Sequence, residues 1–147
     1  MKHWLLKSEP DTWSWCDQLN QGKRGEVWDG VRNHQAANFL KEMKKGDLAF
    51  FYHSGKNPCV IGIVKIIRES FIDPTDEASR FVAVTVSAEK KLSKQCLPAP
   101  VTLKEIKSEC LFDEFLLVKQ SRLSVMPVST KYWNEILRLS AKKITSP

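Results

Sequence analysis

Short apolar runs of strand length, each closed by a turn or a polar cluster, set the first limit on how this chain can fold. Leu48 to Tyr52, Val60 to Ile67 and Phe81 to Val86 are rich in β-branched and aromatic residues, which suit a pleated, half-buried surface. Phe81, Ala83 and Thr85 alternate with Val82, Val84 and Val86, as in a strand covered on one side. Ser54-Gly55-Lys56-Asn57-Pro58 separates the first two runs as a hairpin-type loop. Residues 70–80, with Asp73-Pro74-Thr75-Asp76, read as a polar connection. Two further buried strands are expected, one at His3 to Lys7, stopped by Ser8-Glu9-Pro10, and one at Leu116 to Val118.

Helical signals lie between these runs. From Asn33 to Lys45, Ala36, Phe39, Leu40 and Met43 recur at i, i+3, i+4 and i+7 and form one apolar stripe. Asn33 is a good N-cap, and Gly46 stands where a C′ glycine belongs. Ser14 with Asp17 in the first turn marks a short helix. Thr102-Leu103-Lys104-Glu105 matches a capping box for another, ending near Cys110. A final helix opens at Thr130, with Trp133, Ile136, Leu137 and Ser140 facing one way, and residues 141–147 are expected to fray. One α+β domain over residues 1–147, with a small mixed or barrel-like sheet, is the economical reading.

Composition excludes several classes. No apolar run approaches the roughly 18 residues of a membrane span. The apolar stretch after Met1 is too short for a signal-peptide core. A cytoplasmic protein is therefore expected, or a nuclear one if the source has a nucleus. Cys16, Cys59, Cys96 and Cys110 form no CxxC pair, and no histidine has zinc-finger spacing, so the thiols read as inert and partly buried, with no metal expected. Twenty-three Lys and Arg residues against 17 Asp and Glu give a net charge of +6. The first forty residues are balanced, so the excess lies in 41–147 and favours polyanionic partners without forming a dense patch.

Four segments put polar groups where an apolar element ends, which is where a rigid scaffold presents a ligand site. They are Lys7-Ser8-Glu9-Pro10, Trp28-Asp29-Gly30-Val31-Arg32-Asn33, Phe51-Tyr52-His53-Ser54 and Lys119-Gln120-Ser121-Arg122. The Trp28 indole offers a flat face for a nucleobase, though a tryptophan before a helix also serves as core. Trp4 and Trp133 sit on apolar patterns, and Trp13 falls near the pocket rim. Lys7, Arg32 and Arg122 can contact phosphate or a base edge, or pair with Glu9 or Asp29. Asn33, Gln35 and Gln120 carry both donors and acceptors, as reading a Watson–Crick edge requires. His53 with Ser8 or Ser54 and Asp29 permits a hydrolase triad only on paper, since there is no nucleophile elbow. No Gly-rich phosphate loop occurs.

Taken together, Trp4-Leu5-Leu6-Lys7-Ser8-Glu9-Pro10, Trp28 to Ala36, Phe50-Phe51-Tyr52-His53-Ser54 and Gln120 to Pro127 resemble the EVE domain. That domain is a branch of the PUA-like superfamily that includes the thymocyte nuclear protein family and many bacterial homologues. The resemblance runs from Trp4 to about Leu137. It implies a PUA-like pseudo-barrel of mixed strands flanked by short helices, with one pocket at the barrel mouth. It also implies binding of modified bases, methylated or hydroxymethylated cytosine among them. The expected pocket wall is Ser8, Trp28, Asn33, Phe51, Tyr52, His53 and Ser54, with Lys7, Arg32, Gln35, Gln120, Ser121 and Arg122 as polar rim or backbone contacts. Asn57-Pro58-Cys59 departs from the simpler polar loop of many relatives.

The reading is a nucleic-acid-binding module that holds an unstacked, modified base of DNA or RNA without catalysis, cofactor or metal, and acts as a monomer. An enzyme acting on a modified base or nucleotide, with His53 and Glu9 as acid and base, is one alternative. A small-molecule or protein-interaction module is the other.

Overall fold

The computed structural model describes residues 1–89 and 97–145. Seven strands form one mixed sheet: β1 (His3–Ser8), β2 (Glu26–Trp28), β3 (Leu48–His53), β4 (Cys59–Ile72), β5 (Val82–Ala88), β6 (Val101–Thr102) and β7 (Val125–Val128). Their order is β2-β5-β4-β3-β1-β7, with β6 paired to β4. Among the described residues five α-helices flank it: α1 (Trp15–Asn20), α2 (His34–Glu42), α3 (Leu103–Lys107), α4 (Leu116–Lys119) and α5 (Thr130–Thr145).

The central fact of the topology is that β1 pairs in parallel with β3 and antiparallel with β7. A parallel pair needs a crossover, and here α1, β2 and α2 supply it between β1 and β3. The pairing sets Lys7 against Tyr52 and Ser8 against His53, so both strands deliver their C-terminal residues to one edge. The Ser54 N–H donates to Ser8 O at 3.0 Å, and the Lys7 N–H to Ser124 O at 2.9 Å, which brings the start of β7 to the same edge. Trp4, Leu5 and Leu6 of β1 are buried, as are Phe50 and Phe51 of β3, because strands with cover on both faces carry continuous apolar runs.

α2 packs against β7 and β5 and so bridges opposite reaches of the sheet. Its Ala36 and Leu40 are fully buried, as is Met43 just past its end. A register shift between Phe51 and Tyr52 in the β3–β4 ladder sets Phe51 opposite Gly62. The Trp15 ring lies flush on Gly62, where a Cβ would stand 2.3 Å from it. Only glycine fits there.

The structure corrects several expectations. The helix expected over 33–45 ends at Glu42, and Met43 is extended. The Asp47 carboxylate takes the Lys44 N–H at 3.0 Å and turns the chain instead, leaving Gly46 inside that turn. Leu116 to Val118 is helical, not a strand; a short apolar run does not separate the two. The polar connection begins later than expected, since β4 continues through Ile72. α3 stops at Lys107, and a 3-10 turn covers Cys110–Phe112. The tail is helical to Thr145: the Lys143 ammonium donates to Pro100 O at 2.6 Å and pairs with Glu105. Cys16 and Cys110 are exposed free thiols rather than partly buried ones; Cys59 is half-buried, and Cys96 lies outside the described residues.

Candidate functional site

Where β1, β3 and the start of β7 end, a cleft of about 730 Å³ opens between them and the Trp28–Asn33 segment. That volume lies in the usual range for a small-molecule or base site. Its floor is aromatic. Trp28 is 9% exposed and set edge-on against Phe51 beneath it, ring centroids 5.4 Å apart. Trp13 lines the cleft from the segment leading into α1 and is fixed from both ends. Its indole N–H donates to Gln18 Oε1 at 2.9 Å, and its carbonyl accepts from the Ser8 hydroxyl at 2.5 Å. Gln18 is wholly buried and donates in turn to Val86 O, tying this wall to β5.

Two polar groups at the cleft are unspent. No buried side-chain nitrogen or oxygen lacks a partner among the described residues, and none of those residues accepts from the Trp28 indole N–H. That N–H therefore keeps some exposure, on a residue that lines the cleft. Asn33 caps α2 through Oδ1, which accepts from the Ala36 N–H at 2.9 Å. Its amide NH₂ makes no hydrogen bond among the described residues, so one half of the side chain holds the fold and the other is available.

A buried carboxylate holds the segment between these two residues. Gly30 has φ +78°, a turn geometry suited to glycine, and its N–H donates to Asp73 Oδ2 at 2.8 Å. Asp73 also accepts from Arg32 at 2.9 Å and from the Thr75 hydroxyl and N–H. Burial alone raises its pKa. The hydrogen bonds from Thr75, Arg32 and Gly30 outweigh that and hold the carboxyl at about 2. Arg32 donates as well to Thr75 Oγ1 at 3.0 Å and is largely consumed by this corner.

Of the expected wall, Ser8, Trp28, Asn33 and Ser54 line the cleft, and so do Lys7, Arg32, Ser121 and Arg122 of the expected rim. Phe51, Tyr52 and His53 do not. Phe51 supports Trp28 from below, and Tyr52 is 2% exposed, with burial first and Cys59 second pushing its hydroxyl up to about 12. His53 Nε2 accepts the Trp15 N–H at 2.9 Å, capping α1, and burial lowers its basicity. That nitrogen is spoken for, so the His53–Glu9 acid–base pair is not assembled in the cleft. Gln35 and Gln120 line an adjacent depression instead.

The sequence alone places Trp13 near the pocket rim but gives no site role to Glu26, Val27, Val31 or Asp73, and it offers Glu9 and Asp29 only as ion-pair partners or catalytic carboxylates. Glu9, Glu26 and Asp29 all line the cleft, as do Val27 and Val31. The signal for Asp73 was present in Asp73-Pro74-Thr75, where an aspartate accepts from the residue two places on. Among the described residues, no group of three or more His, Cys, Asp and Glu is arranged to hold a metal.

A mixed sheet of seven strands, curled over one cleft and flanked by short helices, is a PUA-like α+β fold. The family model of the EVE domain matches residues 2–139, and the chain belongs to that family. Thymocyte nuclear protein 1 of Gallus gallus is 33% identical over 96% of this chain and 69% of its own length. The Homo sapiens protein of that name is 47% identical over 50% of this chain and 37% of its own length. Among solved structures, a protein of Agrobacterium tumefaciens superposes with a TM-score of 0.89 at 40% identity, covering 95% of this chain and 93% of that one. The human THYN1 protein in complex with 5-methylcytosine containing DNA superposes at 0.84 with 30% identity, over 95% and 98% of the two chains. A YTH domain of Zygosaccharomyces rouxii superposes at 0.52 with 14% identity, covering 95% of this chain and 83% of that one, a likeness of fold alone.

Proposed function

We propose that the cleft holds a modified base of nucleic acid, with 5-methylcytosine as the first candidate, and that the protein does no chemistry on it. The observation that carries this reading is the pairing of an unspent indole N–H on Trp28 with an unspent amide on Asn33, in a cleft walled by two tryptophans. Trp13 and Trp28 supply ring faces, and stacking on an aromatic side chain contributes about 1–3 kcal/mol per base. The Glu9, Glu26 and Asp29 carboxylates suit the exocyclic amino group of cytosine, which is a donor. Val27 and Val31 offer an apolar seat for a methyl group. Such a base must leave its stack to enter, so single-stranded or flipped substrate is required. The human THYN1 complex supports the choice of ligand, since that relative is bound to 5-methylcytosine containing DNA.

The test is a tryptophan-fluorescence titration with short single strands carrying one cytosine or one 5-methylcytosine. The methylated strand should bind at least about tenfold tighter, a gap of roughly 1.4 kcal/mol. Asn33→Asp keeps the helix cap, because aspartate caps as well as asparagine, but removes the amide donor. Trp28→Phe keeps the packing on Phe51 and removes the N–H. Each should lower affinity about tenfold. Equal binding of both strands by the native protein contradicts the proposal.

A further inference from the structure

Asn33, Ser121 and Arg122 line both the cleft and a second depression of about 310 Å³ beside it, which Gln35, Lys119 and Gln120 complete. The two hollows differ in chemistry. Three carboxylates line the first, and none lines the second. The two cations that line only the first are engaged, Lys7 on Ser121 O at 2.9 Å and Arg32 on Asp73 at 2.9 Å. In the second, Lys119 pairs with Glu114 at 2.6 Å, while exposed Arg122 makes neither an ion pair nor a hydrogen bond among the described residues. The side-chain amides of Gln35 and Gln120 are likewise unspent there. The loop bearing Arg122 is ordered in advance. The Gln120 N–H donates to Leu116 O at 2.7 Å, the Leu123 N–H to Gln120 O at 3.1 Å, and Lys7 fastens Ser121 to β1.

We propose that this second depression is a phosphodiester subsite, where Arg122, Gln35 and Gln120 hold the backbone next to the nucleotide whose base enters the cleft. The choice of neighbouring nucleotide rests on the base-binding reading; the subsite itself does not. A strand with one base turned inward leaves its phosphates at the cleft mouth. Phosphate oxygens favour cationic and N–H donors over carboxylates, and no carboxylate lines the second hollow while three line the first. Ordering the loop beforehand lowers the entropy lost on binding.

The experiment uses a short single strand made only of abasic nucleotides, titrated into the full chain at several salt concentrations. The native protein should bind with a salt-dependent affinity. Arg122→Ala should weaken it about tenfold near 0.1 M salt and reduce the slope of log affinity against log salt by about one. Gln120→Ala should weaken binding a few-fold with the slope kept. Failure of the native protein to bind the abasic strand overturns the subsite, and so does an unchanged slope in Arg122→Ala. Displacement of the strand by about 1 mM inorganic phosphate, too dilute to act as salt, marks a free-phosphate site and also overturns the strand assignment. Failure of the base reading is distinguishable: methylated and unmethylated strands bind the native protein alike while Arg122 still sets the slope.

Discussion

Trp4 and Trp28 each stand in a corner of the molecule closed by a buried aspartate, yet one corner is core and the other is a wall of the cleft. At the first, Asp47 accepts from the Trp4 indole N–H at 3.0 Å, from the Lys2 N–H at 3.1 Å and from the Lys44 N–H at 3.0 Å. Every donor there turns inward. At the second, Asp73 takes the Gly30 N–H, Arg32 and Thr75, and the Trp28 indole is left without an acceptor among the described residues. A buried carboxylate that binds the loop instead of the ring fixes the ring's position while leaving its polar edge for a ligand. The same two residue types give closure in one place and a site in the other, and the hydrogen-bond partner decides which.

Asp47→Ala and Asp73→Ala should separate the two corners most sharply. Each strips several donors of their acceptor and should cost about 2–4 kcal/mol in urea unfolding. Only Asp73→Ala should also weaken binding of a methylated strand, by at least about tenfold, because only it releases the Gly30 turn. Comparable loss of binding in both variants would break the distinction.

Acid titration sharpens it further. The Asp73 carboxyl lies at about 2 in the folded protein, below its ordinary 3.8. A depressed folded value stabilises the fold above the unfolded value, and that contribution is lost as the pH falls from about 4 to about 2. The amount is about 2 kcal/mol by linkage. Urea unfolding at stepped pH should show this loss in the native protein and a correspondingly shallower one in Asp73→Asn.

The smallest effect concerns His53, which serves α1 and not the cleft floor. His53→Ala removes the acceptor of the Trp15 N–H and should cost about 1 kcal/mol in unfolding. Burial lowers the basicity of His53, so the neutral, accepting form is the folded one. The stability it adds is present above its ordinary value of 6.5 and declines as the solution is acidified below that.

Much of this was legible in the sequence, for reasons that differ by element. The caps at Ser14, Asn33 and Thr102 are local: side chain and N–H partner lie three residues apart, so spacing alone reveals them. The apolar stripes of α2 and α5 follow the helical period. What stayed hidden is long-range. Asp73-Pro74-Thr75 carries a local turn signal, but the bond from Asp73 to Gly30, 43 positions away, shows only in the fold. Asp47 hides for the same reason, and its bond to Lys44 shortens α2 against the apolar pattern. The four segments could be singled out as candidate edges, but which side chains face the cleft depends on strand register. Phe51 and His53 are two residues apart on β3, on the same face, one under Trp28 and the other under α1. Leu116 to Val118 was misread because a buried helical turn and a buried strand share one composition.

The most direct test follows the five indole N–H resonances by ¹⁵N-resolved NMR while a single strand bearing one 5-methylcytosine is added. The Trp28 and Trp13 signals should shift together with the Asn33 side-chain amide, while the Trp4 signal, held by Asp47, stays in place. Shifts confined to Trp4 or Trp133, or no shift at saturating strand, would contradict base binding in the cleft.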